Sequence, residues 1–416
     1  MLKYLKGDKS IWILCILFAI ASLLMVFSSS SNLAYTQYGG NVSAILIKHF
    51  LHLSIGLCLM VVVSNIPYKY FYNSSIILFF LALGLLLIAL FTGNEIANAN
   101  ARRWVRVFGF TFQPSELAKV VLIMLLARNL VRYKGKFDTF KKSIVPILLP
   151  IGVICALILP SNFSSAAYIF VISLILLFLG KYPIKYLLSI IGVGIVGLGL
   201  FIGMVLTFPN ISNRVDTWKG RIERHLDGDT EEQYQVKHAK TAIALGGWRG
   251  VGPGKSKEKY FLPQSSSDFI FAIIVEEYGF FGALAIVSLY LLLLLRMLLV
   301  AYKAADSFGA LVAAAIGISI FFQAMLNMGV SVNLLPVTGQ NLPLISSGGS
   351  SVWMTCLALG MVLSVSYRSS EIKKREEEEA KMMNVSPDTM SEEGDVDIDR
   401  LEEYTSLSED EIKEIV

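Results

Sequence analysis

Three stretches of this chain gather residue types that could bind an anion and move a proton. Ala101–Lys119 (ARRWVRVFGFTFQPSELAK) sets Arg102, Arg103 and Arg106 ahead of Glu116 and Lys119. Guanidinium forks match phosphate oxygens in shape and charge, so a pocket for a phosphate or diphosphate group is one reading. The other is an internal Glu116–Lys119 pair, three residues apart on one helix face, beside arginines that snorkel to the water interface. The second stretch, Arg214–Asp268, also carries Arg and Lys and ends on Asp268, which follows FLPQSSS and opens the apolar run FIFAIIVEEYGFFGALAIV. Asp268 could cap that helix, act as a general base at the mouth of a cavity, or do both. The third stretch, Asn327–Ser351 (NMGVSVNLLPVTGQNLPLISSGGSS), carries almost no charge, and Pro336, Gly339, Pro343 and SSGGSS interrupt it. Broken backbone at membrane depth is tolerated only where protein buries it or water reaches it. A helix starting near Ser347, Gly348 and Gly349 would point N–H groups at an anion, unless Ser347 simply caps a plain loop.

Other candidates are weaker. Gly246–Gly254 (GGWRGVGPG) lacks the GK[ST] spacing of a phosphate-cradling loop and is expected to be a flexible, solvated stretch running on to Lys259. Glu276 and Glu277 lie inside an apolar run, and two acids in a span are costly, so at least one should have an Arg or Lys partner. Cys15, Cys58, Cys155 and Cys356 all fall in apolar segments and read as small hydrophobes rather than a disulfide set or metal site. The four histidines show no zinc-ligand spacing.

The elements that must position these residues are membrane helices. The 416 residues are 55% hydrophobic, and the mean hydropathy of +0.62 is far above that of a soluble domain. An all-α, polytopic membrane fold with ten spans follows: Ile11–Phe27, Ile45–Ile66, Ser75–Phe91, Glu116–Val131, Ile144–Leu159, Ser164–Leu179, Ile184–Thr207, Phe269–Leu299, Phe308–Asn327 and Ser347–Tyr367. Lys3, Lys6 and Lys9, the basic link from Arg128 to Lys142, Lys181 with Lys185, and Arg296 with Lys303 then share one side. The positive-inside rule makes that side cytoplasmic, with both termini there. The first span lacks a small-residue cleavage site and reads as a retained helix. The three candidate stretches fall at the opposite face.

Residues 1–10 form a short cytoplasmic N-terminus and 11–368 the membrane domain. Within it, residues 208–267 make a large extracytoplasmic loop before the eighth span, with helices expected at Val215–Arg224 and Glu231–Leu245, the second carrying Val236, Ala239 and Ile243 on its apolar side. Residues 369–416 form an acidic tail expected to lack a packed core. From Glu371 it holds 17 acids against 6 bases, a net of −11, while the rest of the chain is +15. A short helix is expected at its start.

The three stretches together resemble the SEDS (shape, elongation, division and sporulation) family. The arginine–tryptophan block ending in QPSE, the glycine-rich run leading to LPQSSSDFIF and EEYG, and the LLPVTG, NLP and SSGGSS block stand in that family's order, and the similarity covers about residues 10–368. The resemblance implies a peptidoglycan glycosyltransferase that polymerises lipid II on the outer face of the cytoplasmic membrane. It places the essential aspartate at Asp268 and the arginine, glutamate and lysine of the first block at Arg103, Glu116 and Lys119. Arg102, Ser347, Gly348 and Gly349 join the substrate-binding set. A divalent cation, Mg²⁺ or Mn²⁺, is an allowed cofactor, with Asp268 or Glu116 able to hold it. Expected partners are lipid II, the growing lipid-linked glycan, a class B penicillin-binding transpeptidase and other division proteins; nucleic acid is not among them. The acidic tail fits the division branch better than the elongation branch, which points to the septum. A lipid II flippase and a non-catalytic division scaffold are the alternatives. One departure stands out: Leu262–Asp268 reads LPQSSSD where the family usually has LPEAHTD, so Gln264 and Ser266 replace an acid and a histidine.

Overall fold

The computed structural model describes residues 5–30, 41–92, 103–107, 110–137, 145–207 and 231–383. Arg102, the expected helix Val215–Arg224 and most of the acidic tail lie outside the described residues. The helices in order are α1 (Lys9–Ser29), α2 (Val42–Asn65), α3 (Tyr68–Thr92), α4 (Pro114–Arg132), α5 (Val145–Ile158), α6 (Phe163–Leu179), α7 (Ile184–Thr207), α8 (Glu231–Gly246), α9 (Ile270–Tyr302), α10 (Ser307–Ser331) and α11 (Gly349–Met383). All but α8 coincide, in order, with the ten expected spans. Met1–Ser369 forms one compact unit and Ser370–Val416 a second.

Local chemistry sets the helix starts. Asp8 accepts from the N–H groups of Ser10 and Ile11, Asn41 from Ala44, Asn162 from Ser165 and Asp306 from Gly309. Each satisfies donors that a first helical turn leaves open. Pro114 begins α4, where its missing N–H is harmless.

Six helices, α1, α2, α3, α9, α10 and α11, are long and apolar enough to cross a membrane, and three shorter apolar ones correspond to α5, α6 and α7. Helix α4 carries Glu116, Lys119, Arg128 and Arg132, yet nearly all its residues from Pro114 to Leu130 are buried. It packs against α3, α5, α6 and α10. A helix enclosed by other helices need not be apolar all round, so its charges can be held by protein rather than lipid. Outer faces show the reverse pattern: Ile77 on α3 is 73% exposed and Phe80 is 65% exposed.

Two features depart from the expected architecture. Val105–Val107 and Phe110–Phe112 form a small antiparallel pair, with Arg106 opposite Thr111, so the fold is mostly rather than wholly helical. The eighth span is also not one helix. Gly279, at φ 66° and ψ −159°, breaks α9 into Ile270–Tyr278 and Phe280–Tyr302. The second half, roughly 35 Å long at 1.5 Å per residue, suffices to cross a bilayer alone.

That half runs antiparallel to α1. At one end Arg296 bonds to Ser10 and lies 3.5 Å from Asp8; midway Phe18 and Tyr290 meet with centroids 4.7 Å apart. Past its other end, just before the break, Ser28 donates to Glu277. Glu276 and Glu277 therefore sit level with the end of α1, not in mid-span. Beyond this level α8 packs on the first half of α9. Ala239, Ala242, Leu262, Phe269, Ala272, Ile273 and Val330 form a second small core there, with Ile243 against it.

Candidate functional site

Lys119 is the hub of a buried polar chain. Its Nζ donates to Glu116 Oε2 at 2.9 Å and to Gln323 Oε1 on α10 at 2.9 Å. It also lies 5.4 Å from the ring centroid of Tyr168 on α6. Tyr168 is held in turn by Ser319, through its carbonyl at 2.8 Å and its hydroxyl at 2.5 Å. Gln323 Nε2 donates to the carbonyl of Asn341 at 3.1 Å, and Gln340 Nε2 to Ser165 Oγ at 2.9 Å. The first and third stretches thus meet across α10. The Lys119 ammonium is surrounded by protein partners, so it supports the site from within.

Asp268 is half-buried on the turn before α9. The N-cap residue is Phe269, with no side-chain cap bond, so Asp268 stands one position ahead of the cap. A Cβ on Gly339, which has φ +65°, would lie 3.6 Å from Asp268 Oδ2. The carboxylate therefore faces the broken third stretch. Asn327 Nδ2 donates to the carbonyls of Asp268 and Gln340, each at 2.8 Å, so the third stretch joins the second directly and the first through Gln323.

Ser347 donates to the Ser266 carbonyl from its N–H and its Oγ, both at 2.9 Å. The carbonyl of Gly348 takes the N–H of Val352 at 2.9 Å. A Cβ on Gly348 would meet Asn341 Nδ2, and one on Gly349 would overlap the His52 ring. The start of α11 is thus pressed against Ser266, Asn341 and His52, and the Ser347 donors are already used.

Arg103 occupies a different place. It lines a cleft with Pro114 and Ser115 at the start of α4, Asn162 before α6, and an apolar wall that includes Leu86, Leu90 and Leu157. Lys119 does not line this cleft. Arg106 is exposed on the first strand.

The glycine-rich run is not the flexible loop that was expected. The break at Gly279 leaves the carbonyls of Glu276 and Glu277 without a continuing helix, and they accept from Val251 N–H at 2.9 Å and Gly252 N–H at 3.0 Å. Phe280 N–H donates to the Gly247 carbonyl at 2.9 Å. Contact is close enough that a Cβ on Gly250 would overlap the Glu277 carbonyl. The expected Arg or Lys partner for the two acids is also replaced. Glu276 accepts from Ser256 Oγ and from Lys257 N–H at 2.8 Å. Glu277 accepts from Ser28 Oγ and from Ser256 N–H at 3.4 Å. Among the described residues, hydroxyls and backbone N–H groups rather than cations hold these buried carboxylates.

Among the described residues no three His, Cys, Asp or Glu gather to hold a metal. Asn327 Oδ1, on a residue 1% exposed, has no hydrogen-bond partner among the described residues. It and the Asp268 carboxylate are oxygen donors of the kind Mg²⁺ or Mn²⁺ prefers.

Gln323, Asn327, Gln340, Asn341 and Ser346 carry much of this network without having been singled out by type or motif. The available signal was Gln323 and Asn327 at i and i+4 of an otherwise apolar span, one inward face with two amides.

The chain matches the cell cycle protein model of FtsW, RodA and SpoVE over residues 8–371. The probable peptidoglycan glycosyltransferase FtsW of Geobacter sp. (strain M18) is 32% identical over 367 residues, spanning 87% of this chain and 97% of that one. Stage V sporulation protein E of Bacillus subtilis (strain 168) is 31% identical over 370 residues, spanning 88% and 99%. A solved chain described under the structural coordination of polymerization and crosslinking by a peptidoglycan synthase complex aligns with TM-score 0.69 at 25% identity, over 87% of this chain and 98% of that chain. RodA of Thermus thermophilus shares the fold, with TM-score 0.63 at 24% identity over 88% and 98%. With the model covering the whole membrane unit, the chain belongs to the FtsW, RodA and SpoVE family of cell cycle proteins.

Proposed function

We propose that this protein is a peptidoglycan glycosyltransferase that polymerises lipid II into glycan strands during cell division, with Asp268 as its base. The observation that carries the reading is the meeting of Asp268 with the broken third stretch, which Gln323 ties in turn to the Glu116–Lys119 pair, together with a separate cleft beside Arg103 at the start of α4. In the reaction the acceptor hydroxyl gives its proton to Asp268 while its oxygen bonds to the anomeric carbon of the donor. The bond from that carbon to the diphosphate oxygen breaks, and its electron pair leaves with the lipid diphosphate. Arg103 neutralises the departing charge, and Arg102 precedes it in the chain. The apolar wall of the cleft suits the lipid tail. Lys119, held by Glu116 and Gln323, contributes fixed positive charge and orders α4 against α10. Ser347 binds the turn that carries Asp268, and Gly348 and Gly349 allow Asn341 and His52 to approach the start of α11. A bound Mg²⁺ or Mn²⁺ would add charge neutralisation at Asp268 and Asn327; Glu116 is already engaged by Lys119.

The flippase alternative needs a polar path through the bilayer. Glu276 and Glu277, the acids such a path would use, are 0% and 1% exposed and level with the end of α1, which favours the enzyme. The same reading puts both termini in the cytoplasm, the Asp268 end of the bundle outside, and the protein at the septum. It acts there with a class B penicillin-binding transpeptidase and other division proteins.

The test is lipid II polymerisation by the purified protein, alone and with its transpeptidase, beside Asp268→Ala. Glycan strands from the wild type and none from the variant support the proposal. Wild-type product from Asp268→Ala removes the base assignment, and no product from the wild type under either condition returns the weight to flipping or scaffolding.

A further inference from the structure

We infer that Asn327, Ser346 and Ser347 are positioning residues that aim the Asp268 carboxylate by clamping three consecutive backbone carbonyls of the turn that carries it. The inference rests on Asp268 being the base. Ser347 holds the carbonyl of Ser266 from its N–H and Oγ, both at 2.9 Å. Ser346 Oγ holds that of Ser267 at 2.6 Å, and Asn327 Nδ2 holds that of Asp268 at 2.8 Å.

The clamping groups are themselves fixed. Ser346 Oγ accepts from Leu342 N–H at 2.9 Å. Asn327 sends its other amide hydrogen to the Gln340 carbonyl at 2.8 Å. A flipped amide would set Oδ1 against two carbonyl oxygens, so the Asn327 orientation is determined by its surroundings. Asn327 and Ser346 are 1% and 2% exposed, so water does not compete for these bonds.

The turn is tied from its other side as well. Ser265 Oγ donates to the Ser29 carbonyl at 2.9 Å, and Phe269, fully buried, sits in the small core under α8. With the backbone held on both sides, the position of the carboxylate is set by a fixed backbone and the two side-chain torsions of Asp268. A base must lie within hydrogen-bond reach of the proton it takes, and about 1 Å of misplacement can lower a rate roughly 100-fold.

The clamp also accounts for the departure at LPQSSSD. Each of its bonds ends on a backbone oxygen, which every residue type supplies. Ser266 Oγ adds a contact to Ser347 Oγ at 3.1 Å, but the three carbonyls do not require it. The side chains at Gln264 and Ser266 can therefore change while the carboxylate stays in place.

The experiment uses the full chain with its transpeptidase and lipid II, measuring kcat, KM and thermal stability for Asp268→Ala, Ser346→Ala, Ser346→Thr and Asn327→Ala. Ser346→Ala and Asn327→Ala are expected to lower kcat roughly 10- to 100-fold with KM for lipid II little changed. Ser346→Thr, which keeps the hydroxyl, is expected to recover most of kcat. Wild-type kcat in both alanine variants, with Asp268→Ala inactive, overturns the clamp while leaving the base assignment standing. A kcat loss that tracks thermal stability and is not restored by Ser346→Thr also overturns it, as a merely structural effect. An active Asp268→Ala overturns the base assignment, and the clamp with it.

Discussion

Lys119 on α4 donates to Gln323 on α10 at 2.9 Å while holding Glu116 one turn back at the same distance. A cation inside a helical bundle is thus shared between a carboxylate, an amide oxygen and the Tyr168 ring. A buried charge is tolerable only while its partners remain. Glu116→Ala leaves the ammonium uncompensated and should destabilise by about 3–5 kcal/mol, whereas Glu116→Leu with Lys119→Met should recover much of that loss. Thermal unfolding in detergent, run as a double-mutant cycle, checks this. Additive losses would show that the two side chains do not depend on each other.

Gly279 and Gly250 answer one another across the break in α9. Gly279 adopts φ 66° and ψ −159°, a region open essentially to glycine, and its Cβ would overlap the Gly250 backbone. Gly279→Ala should cost about 1–3 kcal/mol in backbone strain alone and push the 246–259 loop off its seat. Proteolysis at Lys255, Lys257 and Lys259 should quicken in the variant. An unchanged cleavage rate and melting temperature would mean the loop does not depend on this contact.

Glu277 presents an asymmetric carboxylate. One oxygen accepts from Ser28 and Ser256, and the other has no hydrogen-bond partner among the described residues. Glu277→Gln keeps the accepting oxygen and removes a buried charge, so stability should hold or rise. Glu277→Ala strands both donors and should lose about 1–3 kcal/mol. Equal melting temperatures for the two variants would remove the role assigned to the accepting oxygen.

Arg103 stands apart from Lys119, so their substitutions should separate. Arg103→Ala should raise the KM for lipid II several-fold with little change in melting temperature, and Arg103→Lys should recover only part, because the ammonium lacks the planar fork. Lys119→Met should instead lower the melting temperature. An Arg103→Ala enzyme with unchanged KM would dissociate the cleft from the diphosphate.

Much of the architecture was legible in the chain because hydrophobic runs of spanning length admit few solutions. Ten apolar segments became ten helices, and the small residues and prolines between Asn327 and Ser351 became broken chain. Asp268, Glu116 and Lys119 stood out as ionisable residues at the edges of those runs. The residues that join them did not. Gln323 and Asn327 are amides whose value lies in what they face, and neither Asn341 nor Gln340 contributes more than a carbonyl or an amide in an irregular segment.

Sequence alone determined the order of the apolar helices, because burying backbone polar groups in hydrocarbon leaves the helix as the element these runs can form. It also supplied the charge asymmetry and the three stretches. Tertiary structure decided that Glu276 and Glu277 seat a glycine loop instead of pairing with a cation, that one long span is two helices, and that Ser347 binds the turn before Asp268. Each of these depends on contacts between residues far apart in the chain, such as Ser28 with Glu277 or Asn327 with Asp268. Hydropathy and spacing report which residues can be buried, but not which carbonyl an amide will find once they are.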